Sequence, residues 1–188
     1  MKRAAFAPLG ILVASSLGCA AVALPSGWRE GGRRLALPAA RWVVGERTVE
    51  LAANGSVVVD GVHTMTVDRA GRVYGPENRP IALLKPDGIV LGPDDEPLGW
   101  VGATEARGDD NEPWLTFLPT GEVVRLLGDG QPRPFGVWLG CDQVPYGSQT
   151  CLLVSHLVGL EVRTRAASPG VSVGVGLGLG VGIGVGVP

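Results

Sequence analysis

Between Arg41 and Arg165 the chain is a succession of short β-branched and apolar runs broken by turn pairs. The turn pairs are Asn54-Gly55, Ala70-Gly71, Asp87-Gly88 and Thr120-Gly121. Each precedes such a run: Ser56 to Val59, Arg72 to Tyr74, Ile89 to Leu91 and Glu122 to Val124. Glycine in these places supplies the positive φ that a tight reversal between strands demands. No stretch of eleven or more residues shows apolar spacing of a helical period, so the pattern predicts an all-β domain. The last run, Cys151 to Thr164, alternates and predicts the longest strand. Leu152, Val154, His156, Val158, Leu160 and Val162 would share its buried face, and Ser155, Glu161 and Arg163 the other.

The glycines are regularly spaced. Gly55 to Gly71 is 16 residues, Gly71 to Gly88 is 17, and Gly88 to Gly121 is 33, close to twice that. The segment Gly71 to Ile81 aligns with Gly88 to Leu98, placing Gly75-Pro76 on Gly92-Pro93 and Pro80 on Pro97. One unit is strand, polar turn, strand. A single hairpin buries no core, so copies must share one, as an antiparallel meander, a sandwich, an open barrel or a short β-solenoid.

The first 23 residues read as a secretory signal. Lys2 and Arg3 give a basic start, Ala4 to Leu17 a largely apolar stretch, and small residues follow. Two cleavage readings stand side by side. Ala21-Val22-Ala23 fits the small-x-small rule, while Ser16-Leu17-Gly18-Cys19 resembles the lipobox of bacterial lipoproteins. Ser16 stands where that family usually carries a large aliphatic residue. The resemblance implies that Cys19 becomes the lipidated first residue of the mature protein. The chain has three cysteines, and setting Cys19 aside leaves Cys141 and Cys151 as an even pair. They bracket a loop containing Pro145 and Gly147, which an oxidising compartment would close as a disulfide contributing about 2–3 kcal/mol.

Outside these runs the composition is unusual. Glycine accounts for 30 of 188 residues and charged residues for 18%. Residues 24–40 are rich in Gly, Pro, Ala and Arg and predict a flexible tether ahead of a β domain at 41–165. Residues 166–188 form a tail in which Gly alternates with Val, Leu or Ile. In a helix each of those glycines would cost about 1 kcal/mol. The tail therefore reads as a disordered, elastin-like segment, as a strand with all its glycines on one face that self-associates, or as a membrane contact. With 16 basic and 18 acidic side chains the charge is −2, and −4 once Lys2 and Arg3 are removed. That balance gives no footprint for nucleic acid.

Candidate chemistry is sparse. His63 lies between Asp60 and Asp68, and a nucleophile at Ser56 or Ser155 is conceivable, but no Gly-x-Ser-x-Gly elbow is present and an exposed turn histidine is the simpler reading. His156 follows Cys151 by five residues; a thiol-imidazole pair or a zinc site with Cys141 is outweighed by a disulfide and a core histidine. The acidic turns Asp94-Asp95-Glu96 and Asp109-Asp110-Asn111-Glu112 lack the spacing of a calcium loop, and Arg107-Gly108-Asp109 is too short to carry information. No catalytic residue, metal ligand or cofactor is assigned. Trp100, Trp114 and Trp138 are the candidates for a stacking platform that takes a saccharide or protein partner. The expectation is an exported, lipid-anchored cell-envelope protein, outer-membrane or periplasmic, or alternatively a secreted one, with a binding or structural role. A secreted hydrolase of envelope polymer and a surface component that self-assembles through the tail are the alternatives.

Overall fold

The computed structural model describes residues 23–167 except 127 and 129, and the side chains of 161–167 fall outside that description. The leader with Cys19 and the Gly/Val tail from 168 onward also lie outside the described residues.

Twelve strands are present among the described residues: β1 (Ala40–Val44), β2 (Arg47–Leu51), β3 (Ser56–Val59), β4 (Val62–Val67), β5 (Arg72–Tyr74), β6 (Pro80–Leu84), β7 (Ile89–Leu91), β8 (Pro97–Val101), β9 (Glu105–Arg107), β10 (Pro113–Phe117), β11 (Glu122–Leu126) and β12 (Pro132–Leu139). Each pairs antiparallel with its sequence neighbours. β12 then closes on β1 through Arg41 opposite Leu139 and Val43 opposite Val137, so the meander is a closed barrel. Closure leaves no free sheet edge among these strands.

The 16/17-residue rhythm is the hydrogen-bond rhythm of this wall. The carbonyls of Gly55, Gly71, Gly88, Thr104 and Gly121 accept from the N–H groups of Val67, Leu84, Val101, Phe117 and Trp138, at 2.7–2.8 Å. Thr104 fills the place that made the Gly88-to-Gly121 interval look double. The two aligned units also match in detail: Glu77 and Asp94 occupy the same left-handed conformation, at φ 60 and φ 56, in equivalent turns. At Gly55 the requirement for glycine is twofold. Its φ is +88, and a Cβ there would stand 1.9 Å from the Val67 carbonyl oxygen.

Alternation along the wall sends Trp42, Val49, Leu51, Val57, Met65 and Val67 inward, while Arg41, Arg47 and Glu50 face out. That polarity is the reverse of a transmembrane barrel, whose outward face is apolar and whose strands run about 9–11 residues. No helix among the described residues is long and apolar enough to cross a membrane.

Eight strands enclose a lumen that wall side chains alone can fill; twelve enclose a wider one. Here the space is taken by α1 (Gly147–Ala167). Cys151, Leu152, Leu153, Val154, Ser155 and His156 are consecutive and each is 0% exposed, which a helix achieves only when it is surrounded on all sides. The run from Cys151 to Thr164, expected as the longest strand, is therefore helical. A helix buried all round shows no 3.6-residue alternation of polar and apolar positions, and its i, i+2 apolar residues imitate a strand.

Residues 24–40 have no helix and only the first residue of β1, in keeping with a linker composition, yet they are docked along the barrel. The carbonyl of Ala23 accepts from Asp94 N–H, and Ser26 donates from its N–H and its hydroxyl to the Asp95 carboxylate, both at 2.6 Å. Trp28 is buried and meets Tyr74 edge-on at 5.2 Å, with its carbonyl held by Arg72. Gly32, Arg33 and Leu35 then donate N–H groups to Ala70, Leu84 and Arg69 before β1 begins. The segment is a strap that runs along one side of the wall, from the 92–96 loop to the turns at 68–71 and 85–88.

Candidate functional site

The barrel has two unlike ends. The upper end carries the turns 52–55, 68–71, 85–88, 102–104 and 118–121, and the lower end the loops 60–61, 75–79, 92–96 and 108–112. The α1 helix starts at the upper end, where Gln149 Nε2–H donates to the Val101 carbonyl at 3.2 Å. It descends until His156 reaches the Leu98 carbonyl and Gly159 lies against Trp114. Because Ala23 contacts the 92–96 loop, the strap starts at the lower end.

Two tryptophans fix the helix inside the wall. Trp138 Nε1–H donates to Ser155 Oγ at 2.8 Å, and that hydroxyl donates onward to the Cys151 carbonyl at 2.9 Å. Trp114 Nε1–H donates to His156 Nδ1 at 2.8 Å, and His156 Nε2 is 2.8 Å from the Leu98 carbonyl. An indole is donor-only, so His156 is the neutral Nε2–H tautomer, accepting on one side and donating on the other. This is the satisfied core histidine expected from the sequence. Trp114 and Trp138 are 5% and 2% exposed, inside the barrel. Trp100 stands outside the wall, its Nε1–H on the Asp87 carbonyl and the Arg107 guanidinium 5.5 Å from its ring. The three tryptophans thus share no exposed face, because alternation sends β8's Trp100 outward and the other two inward.

The remaining chemical candidates are separated. His63 is exposed and 3.1 Å from Thr66 Oγ1, with no serine beside it in this contact. Ser155 is engaged by Trp138. Cys141 and Cys151 form a disulfide, Cα atoms 6.3 Å apart, which ties the short turn after β12 to the first turns of α1 and removes both sulfurs as thiolate ligands. Among the described residues no three His, Cys, Asp or Glu side chains are placed to hold a metal ion. Asp95 is occupied by Ser26, whose hydroxyl and N–H hold its carboxyl below the usual range. Asp60 is likewise lowered by the Arg47 guanidinium and the Thr48 N–H. Tyr74 is pushed up, first by burial and then by the charge of Asp68. Arg107 of the Arg-Gly-Asp run pairs with Glu105 within β9.

The recess with a mixed lining lies at the upper end, beside the disulfide. It is a cleft of about 480 Å³ between the β10–β11 turn and the chain from Leu139 to Ser148. Phe117, Pro119, Trp138 and Val144 give apolar surface; Thr104, Thr120 and Ser148 contribute hydroxyls, and Asp142 a carboxylate. At its mouth stands Tyr146, 86% exposed, with φ 62. A non-glycine residue in that region is disfavoured, and here its ring is left in water. Behind Tyr146 is a second hollow of about 390 Å³, shared with Arg33, Arg34 and Gln149. Arg33 is braced by Gln149 Oε1 and the Pro86 carbonyl, while Arg34 is exposed.

Trp138 is the one member of the expected platform that lines this cleft. Arg33, Arg34 and Tyr146 were not singled out as site residues from the sequence: the arginines sit in what reads as a tether, and Tyr146 in a disulfide loop. The signal available was an aromatic between Pro145 and Gly147 in a loop otherwise suited to a plain reversal. No family model, curated protein or solved structure matches this chain.

Proposed function

We infer that this is an exported cell-envelope protein, held to a membrane through a lipidated Cys19, with a binding role performed by the upper end of its barrel. The observation that carries the reading is the Cys141–Cys151 disulfide, a bond characteristic of oxidising compartments. The basic-apolar-small leader and the Ser16-to-Cys19 sequence agree with it. The docked strap gives the reading an orientation. Cys19 precedes Ala23 by four residues, a span of about 14 Å at full extension. A lipid there would keep the lower end close to the bilayer and direct the cleft away from it.

Membrane fractionation of a bacterial host expressing the full chain tests this. Wild type should pellet with membranes and extract with detergent, whereas Cys19→Ala should appear in the periplasmic or culture fraction. A Cys19→Ala protein that pellets as wild type does would overturn the lipid anchor.

A further inference from the structure

We propose that the upper-end cleft, Tyr146 and the Arg33/Arg34 hollow form one continuous binding site for an acidic saccharide, with sugar rings seated in the cleft and against Tyr146 and a carboxylate facing the guanidiniums. The proposal deepens the binding role inferred above and names its ligand class. Three features carry it. First, Tyr146 borders both hollows, so a ligand spanning them crosses its ring. An aromatic held at φ 62 and 86% exposed gains nothing from burial, and backbone strain without packing benefit is the mark of a residue kept for contact. Second, beside the exposed Tyr146 ring the cleft combines an apolar lining with hydroxyls from Thr104, Thr120 and Ser148 and the acceptor carboxylate of Asp142. That mixture suits a sugar, whose C–H face stacks on rings while its hydroxyls take hydrogen bonds from and to the rim. Third, charge is partitioned across Tyr146, with an acceptor on one side and two arginines on the other, which places an anionic substituent at the Arg side.

A peptide is the weaker fit. Extended peptides bind most simply by adding a strand to a sheet edge, and the closed wall offers none. The cleft is also at the opposite end of the barrel from Ala23, where the described part of the strap begins.

The test is a titration of the purified full chain, followed by tryptophan fluorescence because Trp138 lines the cleft, with tetragalacturonate and with neutral cellotetraose as probes. Saturable binding of tetragalacturonate, at least fivefold tighter than cellotetraose and weakening with salt, is expected. Arg34→Ala should erase that preference. Tyr146→Phe should bind as wild type does, and Tyr146→Gly should bind at least tenfold more weakly while melting no lower, since glycine relieves φ 62. Equal affinity for the two probes, no response to either, or unchanged binding by Tyr146→Gly would overturn the proposal. So would preferential binding of an acidic pentapeptide at the same residues. None of these outcomes bears on Cys19, whose role is read independently by fractionation.

Discussion

Ser155 and His156 are adjacent on α1, and each receives an indole N–H from a different part of the wall, Trp138 on β12 and Trp114 on β10. Two bonds at neighbouring positions, together with Gln149 on the Val101 carbonyl one to two turns earlier, hold the depth and rotation of a helix whose intervening residues are largely apolar. Their value is mostly the penalty of losing them. Ser155→Ala leaves the buried Trp138 N–H without its acceptor and should cost about 1–3 kcal/mol, read as a lower denaturant midpoint with unchanged slope. His63→Ala, at an exposed position, should stay within about 0.5 kcal/mol of wild type in the same measurement. A loss at His63 equal to that at Ser155 would contradict the assignment of the two sites. At this scale the sequence was informative about His156, since a lone histidine among Leu and Val reads as a bonded core residue. It was uninformative about which indole would meet it, because Trp114 lies 42 residues away and only barrel closure brings it there.

Among the elements, the strap and the helix show why local pattern succeeds for the hairpins and fails elsewhere. Each hairpin has one face in water, so its alternation and its glycine turn are written in adjacent residues, and the 16/17-residue period survives into the hydrogen-bond ladder. From Cys151 to His156 the helix has no water-facing side, so that run carries no helical period. The strap's packing depends on single anchors, Trp28 and Leu35, in a segment whose composition is that of a linker. Two titratable groups that hold the strap, Asp95 on Ser26 and Tyr74 against Trp28, make it sensitive to pH at both extremes. The folded-state pKa of Asp95 is lowered by Ser26, so its contribution is present above the unfolded value of about 3.9 and is lost as pH falls through the folded value. Tyr74, raised by burial, behaves oppositely: its contribution is present below the unfolded value of about 10 and lost as pH rises through the folded one. Hydrogen exchange of the Gly31, Gly32, Arg33 and Leu35 amides should therefore be slow and pH-independent, after correction for intrinsic rates, between about pH 4 and 10, and lose protection beyond each side. Loss of protection near neutrality would contradict the two anchors.

For the molecule as a whole, the barrel and its helix share one core and should unfold as one cooperative unit. The wall's buried Trp42, Leu51, Met65 and Trp138 depend on α1 to keep water out of the lumen. Exposing these four side chains at about 1.5–3 kcal/mol each is comparable with the 5–15 kcal/mol that stabilises an ordinary domain. A chain ending at Tyr146 should show no cooperative melting transition and little near-ultraviolet dichroism; a sharp transition would show that the wall stands without its helix. The all-β class and the hairpin unit were legible from sequence, but closure was not, because the number of copies sharing a core is a long-range property that no local period encodes. The upper-end site was hidden for the same reason: it joins residues 33 and 34 to residues near 104, 120 and 146. The functional account rests on the chain leaving the cytosol, and the most direct measurement is the intact mass of the native protein from a membrane fraction under non-reducing conditions. The account predicts a polypeptide starting at a diacylglyceryl-modified Cys19, two mass units lighter than its reduced form because Cys141 and Cys151 are joined. A cytosolic product that retains Met1 and carries three free thiols would contradict it.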